Sequence, residues 1–114
     1  MVLKTNKGLV MLSGCGHAGI VNTMEYILQK FPGEKIVAAI GGFHLLDTED
    51  EKLAWTAEKI KEAGVQYIIG AHCTGINAVY KLRQATNLLK NQCVVGTVGS
   101  SFSLDKGITM GWMR

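Results

Sequence analysis

The chain has 114 residues, 47% of them apolar, and a formal charge of +3 at neutral pH. That is the size of one small domain with a modest core, and too apolar for a disordered tail. It carries no apolar run of the roughly 20 residues a membrane helix needs, no signal-peptide pattern at its start and no basic stripe for nucleic acid.

The predicted elements follow in a regular order. Val2 to Thr5 pairs with Leu9 to Leu12 across Asn6-Lys7-Gly8, where Gly8 can take the left-handed turn conformation. Ile20, Met24, Ile27, Leu28 and Phe31 recur at helical spacing, and Pro32-Gly33 stops that helix. Lys35 to Ile40 is an apolar strand without polar alternation, the pattern of burial on both faces. The second helix opens at Thr48, which forms a capping box with Glu51, and acidic residues crowd its first turn. Leu53, Ala57 and Ile60 give it a buried face, and Gly64 ends it. Val65 to Ile69 is the next strand. A third helix runs from Ile76 to Leu89, with Ala78, Leu82, Ala85 and Leu89 on one stripe. Cys93 to Val98 is a further strand, and Phe102 to Trp112 a loose hairpin around Asp105-Lys106-Gly107. Strands alternating with helices predict an α/β fold with parallel pairing, one domain over residues 1–114.

Each of the three histidines follows an apolar run and sits beside glycine: Ser-Gly-Cys-Gly-His17, Gly-Gly-Phe-His44 and Ile-Gly-Ala-His72. In α/β sheets ligands gather at the carboxyl ends of strands, and all three fall there. Three imidazoles converging on one point would make a metal site. Two also have a plainer reading: His17 as the cap of a tight glycine-rich turn, His44 as a loop residue. His44 can bind metal, contact substrate or act as acid or base, and Asp47 is placed to orient its ring.

His72 stands before Thr74, Gly75 and a helix, whose free N–H groups can hold an anion such as phosphate. Thr74 and Gly75 are thus candidate substrate-binding residues, although the Thr74 hydroxyl is also the natural helix cap. Cys15 and Cys73 can join a zinc site as thiolates. A cysteine in such a place is more often a small buried hydrophobe, and Cys93 reads as core. Three cysteines without a Cys-x-x-Cys spacing predict a reducing, cytoplasmic setting. The small positive charge suits an anionic small-molecule partner.

The segment Gly8 to Asn22, with Ser-Gly-Cys-Gly-His-Ala-Gly at its centre, resembles the strand, turn and helix that carry the third metal motif of metallo-β-lactamase-fold proteins. Gly-Gly-Phe-His-Leu (Gly41 to Leu45) and His-Cys-Thr-Gly (His72 to Gly75) are similar to segments of one branch. That branch is the 7,8-dihydropterin-6-methyl-4-(β-D-ribofuranosyl)aminobenzene-5'-phosphate synthases and their bacterial hydrolase relatives. The resemblance covers nearly the whole chain, with the motifs in the family's order. It implies a zinc-dependent αββα sandwich, of which this chain would be the carboxyl-terminal half, with manganese or iron as other metals imidazole can hold. His17 would bind the first metal and His72 the second. His44 stands near where the superfamily places an aspartate bridging the two metals.

The family's His-x-His-x-Asp-His motif does not occur in this chain. The resemblance therefore implies half of a two-metal site, completed by a separately encoded amino-terminal half or by a second copy. As an enzyme, it would be a metal-dependent hydrolase that activates water at the metal and acts on a phosphate-bearing or pterin-like small molecule. The other readings are an inactive fragment that keeps the fold and metal or anion binding, and a plain metal-binding or interaction module.

Overall fold

A computed structural model describes residues 1–111. Strands β1 (Val2–Thr5) and β2 (Gly8–Ser13) form the predicted antiparallel hairpin, with Thr5 opposite Gly8. Strands β3 (Ile36–Gly41), β4 (Tyr67–Gly70) and β5 (Cys93–Val95) add in parallel, giving the order β1-β2-β3-β4-β5. Helices α1 (Ile20–Lys30), α2 (Asp50–Glu62) and α3 (Ile76–Thr86) are the crossovers. Because the strand order never reverses, right-handed crossovers bring every helix to the same face of the sheet.

That face holds the main core. Leu9, Met11, Ile36, Ile68 and Cys93 of the sheet pack on Met24, Ile60 and Leu82 of the three helices. The second face carries Val10, Ala38, Ile69 and Val94. Between Leu9 and Val10 the register to β3 shifts: Leu9 opposes Ile36 and Val10 opposes Ala38. Val37 is the extra residue, and a bulge of this kind turns two successive side chains to one side. Val37 and Ala38 accordingly share the second face.

The predicted tail hairpin lies across that second face as β6 (Ser101–Ser103) and β7 (Gly107–Thr109). Phe102 meets Tyr67 with ring centroids 5.3 Å apart. Lys7 Nζ donates to the Leu104 carbonyl at 2.8 Å, fastening the hairpin to the β1–β2 turn. Trp112 lies outside the described residues.

Several boundaries differ from the sequence reading: β4 begins at Tyr67 instead of Val65, and three further differences have an evident cause. Helix α2 begins at Asp50 with Glu49 as its cap, and no side chain bonds its first turn. Thr48 belongs instead to the preceding turn, where its N–H donates to Leu45 O at 3.1 Å after Asp47 has turned left-handed. The expected Thr48–Glu51 capping box is therefore not formed. Helix α3 stops at Thr86 because Asn87 adopts the left-handed conformation, φ 59°, as helix-ending residues do. Its buried stripe is Ala78, Val79, Leu82 and Thr86, while Ala85 and Leu89 are exposed. Strand β5 ends at Val95, since a turn closed by Ser100 N–H on Thr97 O leads the chain away and leaves Val98 exposed.

Candidate metal centre

The loops after β2, β3 and β4 carry the three histidines at one end of the sheet. Strands two apart in a sheet lie nearly 10 Å from one another, so the loops after β2 and β4 would not ordinarily meet. The end of β3 between them is Gly41-Gly42. A Cβ on Gly41 would fall 1.9 Å from Ser13 O, and one on Gly42 would fall 2.3 Å from Gly14 O and 3.1 Å from Cys73 Sγ. Without those side chains the outer loops close over β3. Gly42 N–H donates to Gly14 O on one side, and Ala71 N–H donates to Gly41 O on the other, both at 2.9 Å.

The result is a cluster of nitrogen and sulfur donors. His17 and His44 face each other with ring centroids 4.6 Å apart. Cys15 Sγ lies 3.8 Å from His44 Nδ1 and 3.0 Å from Cys73 Sγ. Two groups of three have all their donor atoms within 4.8 Å: Cys15, His17 and His44, and Cys15, His72 and Cys73. Among the described residues the three imidazoles thus do not meet at one point; they divide into two groups that share Cys15. The donor set is the imidazole and thiol chemistry that suits zinc, so the residues present fit a metal of that kind.

His44 and His72 hold left-handed backbone, with φ of 52° and 51°. Such a conformation costs a non-glycine residue about 1 to 3 kcal/mol and gathers at functional sites. The surroundings impose it: Leu45 and Leu46 N–H both donate to Cys73 O at 3.1 Å, locking the His44 loop onto the His72 turn.

Thr74 completes this lock. It is wholly buried, its hydroxyl accepting from Phe43 N–H at 3.0 Å and donating to Gly41 O at 3.2 Å. It caps no helix, for the residue before α3 is Gly75 and no side chain bonds that helix start. Its hydroxyl is used inside the protein and it presents no surface to a ligand. Gly75 is half-buried under Leu46, whose Cδ1 would lie 2.9 Å from a Cβ placed there. Asp47 makes no hydrogen bond to His44 among the described residues; the group beside Nδ1 is the Cys15 sulfur.

Cys15 and Cys73, for which the sequence leaves zinc ligation beside the plainer reading as small buried hydrophobes, are partly exposed within the cluster. The Cys15 thiol is pushed above its ordinary range, first by its hydrogen bond with Cys73, then by burial and by repulsion from the same neighbour. Cys93 is core as expected, and burial pushes its thiol up to about 11.

A cavity of about 320 Å³ opens beside His17 and His44, walled by Ile20, Phe43 and Trp55, with Asn22 and Lys52 also lining it. That is the size of a small-molecule site. Sequence reasoning assigned nothing to Trp55 or Lys52. The available signal was a large aromatic left on the outward side of α2, where Trp55 remains 49% exposed.

No protein-family model matches the chain. It is 40% identical over 78 residues to the 7,8-dihydropterin-6-methyl-4-(β-D-ribofuranosyl)-aminobenzene-5'-phosphate synthase of Methanocaldococcus jannaschii, a match covering 68% of this chain and 26% of that protein. An uncharacterized protein of the same organism is 35% identical over 83 residues, 70% of this chain and 30% of its own length. The crystal structure of a metal-dependent hydrolase of the β-lactamase superfamily superposes with a TM-score of 0.73 at 33% identity, covering 83% of this chain and 35% of the other. The chain spans about a quarter to a third of the curated relatives it matches. One sheet with helices on one face is one half of a four-layer sandwich, and the chain belongs to the metallo-β-lactamase superfamily, in the branch of that synthase.

Proposed function

We propose that this chain supplies one wall of a zinc-dependent hydrolase site acting on a small anionic molecule that bears a phosphate or a pterin-like ring. One observation carries the reading: two three-donor groups sharing Cys15 stand at the carboxyl ends of three adjacent strands, beside a ligand-sized cavity. His17 and His72 would hold metal, each in a different group. A zinc ion bound there supplies Lewis acidity, which acidifies water and polarises a substrate oxygen. Manganese and iron suit the imidazoles as well, but the two thiols favour zinc.

The chain's own residues do the rest. His44 faces His17 and lines the cavity; it would bind metal or move a proton at a substrate oxygen. Lys52 attracts an anion, and Trp55 offers a flat apolar wall to a ring. A reducing, cytoplasmic setting rests on the odd number of cysteines and their lack of Cys-x-x-Cys spacing. No described helix is long and apolar enough to cross a membrane.

A second reading has its own observation. Leu12, Ile40 and Tyr67 on the second sheet face are only partly buried, and the β6–β7 hairpin supplies their cover. A catalytically inactive unit that keeps fold and metal binding, completed by a separate amino-terminal half or a second copy, fits that face. Zinc content measured on purified wild type, His17→Ala and His72→Ala tests the metal assignment common to both. Each substitution is expected to lower the zinc retained; unchanged content in both variants would sink it. Turnover of a phosphoester on adding a chain that carries His-x-His-x-Asp-His separates the first reading from the second.

A further inference from the structure

We propose that Cys15 and Cys73, the sulfur donors of the two groups, are a thiol pair that closes reversibly into a disulfide when no metal holds them. Their sulfurs stand 3.0 Å apart although the residues are 58 apart in sequence. A disulfide needs an S–S distance near 2.05 Å, so closure asks for about 1 Å of further approach. Both sit after strand ends, Cys15 in the loop beyond β2 and Cys73 in the short turn His72–Thr74 beyond β4, where such a shift does not disturb sheet pairing. The pair exists because Gly41-Gly42 lets these loops touch across β3. The Cys73 thiol already donates to Cys15 O at 2.9 Å, so it points at its partner's backbone.

Both residues are partly exposed. Cys93 is fully buried with its sulfur against Val79 O, and serves as an internal control. The oxidant we invoke is a low-molecular-weight disulfide. One thiol of the pair, losing its proton, attacks a sulfur of that disulfide; the external S–S bond breaks and one thiol departs. The second protein thiol loses its proton and attacks the mixed disulfide, releasing the other external thiol. Two protein thiols become one disulfide, and the external disulfide is reduced to two thiols. A dithiol reverses the exchange. The closed bond staples the loop that bears His17 to the turn that bears His72.

The test is to strip the 114-residue chain of metal with a chelator, incubate it with oxidised glutathione, and read free thiols, intact mass and the peptide map. The expected result is one remaining free thiol, a mass lower by two hydrogens, and Cys15 cross-linked to Cys73, all restored by dithiothreitol. Cys15→Ser and Cys73→Ser remove the resolving thiol, and at least one should accumulate a persistent glutathione adduct on the cysteine that remains. Three free thiols in wild type, a wild-type glutathione adduct that never resolves, or a cross-link through Cys93 would each overturn the proposal. Since the decisive measurement is on wild type, a variant that fails to fold does not shelter it. Loss of zinc binding would leave it standing, because the readout is sulfur chemistry in the metal-free chain.

Discussion

Replacing Thr74 with valine removes one hydroxyl and almost no volume, so the outcome isolates the lock between the His44 loop and the His72 turn. The hydroxyl accepts from Phe43 N–H and donates to Gly41 O. Gly41 O keeps a second partner, Ala71 N–H at 2.9 Å. Phe43 is buried, and its N–H would be left without an acceptor. A stranded buried donor costs about 1–3 kcal/mol. For a domain of 114 residues each kcal/mol lowers Tm by about 4 °C, so Thr74→Val should melt roughly 4–12 °C below wild type. Thr74→Ser keeps the hydroxyl and loses one methyl, a burial term of roughly 1 kcal/mol. Calorimetric melts of the three proteins give the comparison. A valine variant as stable as wild type, or a serine variant less stable than the valine one, would refute the reasoning. Zinc affinity should fall with valine as well, because Phe43 immediately precedes His44.

Further outcomes follow from the same geometry. Gly41→Ala should cost at least about 3 kcal/mol, because its φ is 129° and its Cβ would lie 1.9 Å from Ser13 O; chemical denaturation checks this. Asn87→Gly should be nearly neutral and Asn87→Val should cost about 1 kcal/mol or more, since Asn87 ends α3 with φ 59°. Cys93 has a folded pKa raised to about 11 from 9.0. Its protonated form is the one the fold favours, so its contribution is fully present below pH 9 and fades as pH rises through 11. The stability gap between wild type and Cys93→Ala should therefore narrow by about 2–3 kcal/mol over that window; a constant gap in urea titrations would contradict it.

Much of this fold could be read from the residues because its signals are local. Apolar runs such as Ile-Val-Ala-Ala-Ile and the helical spacing of Ile20, Met24 and Ile27 do not depend on distant contacts, and strand and helix form there. Boundaries were less legible. The Thr48 and Glu51 pattern satisfies a capping box on paper, but Asp47 and Thr48 are already taken by a turn onto Leu45. Leu89 fits the stripe of α3, yet a left-handed Asn87 ends the helix first.

The candidate site divides in the same way. That the three histidines stand at strand ends is a matter of chain order. How they group is set by long-range packing: Gly41-Gly42 brings Cys15 and Cys73 together, and Cys15 links the histidines into two groups. A cysteine's burial depends on what lies across the sheet, and the one-dimensional pattern does not contain that. Trp55 and Lys52 line the cavity beside His17 because α2 packs there, a long-range placement their own sequence neighbours do not signal.

X-ray absorption at the zinc edge, on the reduced chain loaded with zinc, tests the central claim most directly. The account predicts imidazole scattering with Zn–N near 2.0 Å beside sulfur near 2.3 Å, the imidazole part diminished in His17→Ala and in His72→Ala. A shell of oxygen alone, or no zinc retained after desalting, would contradict it.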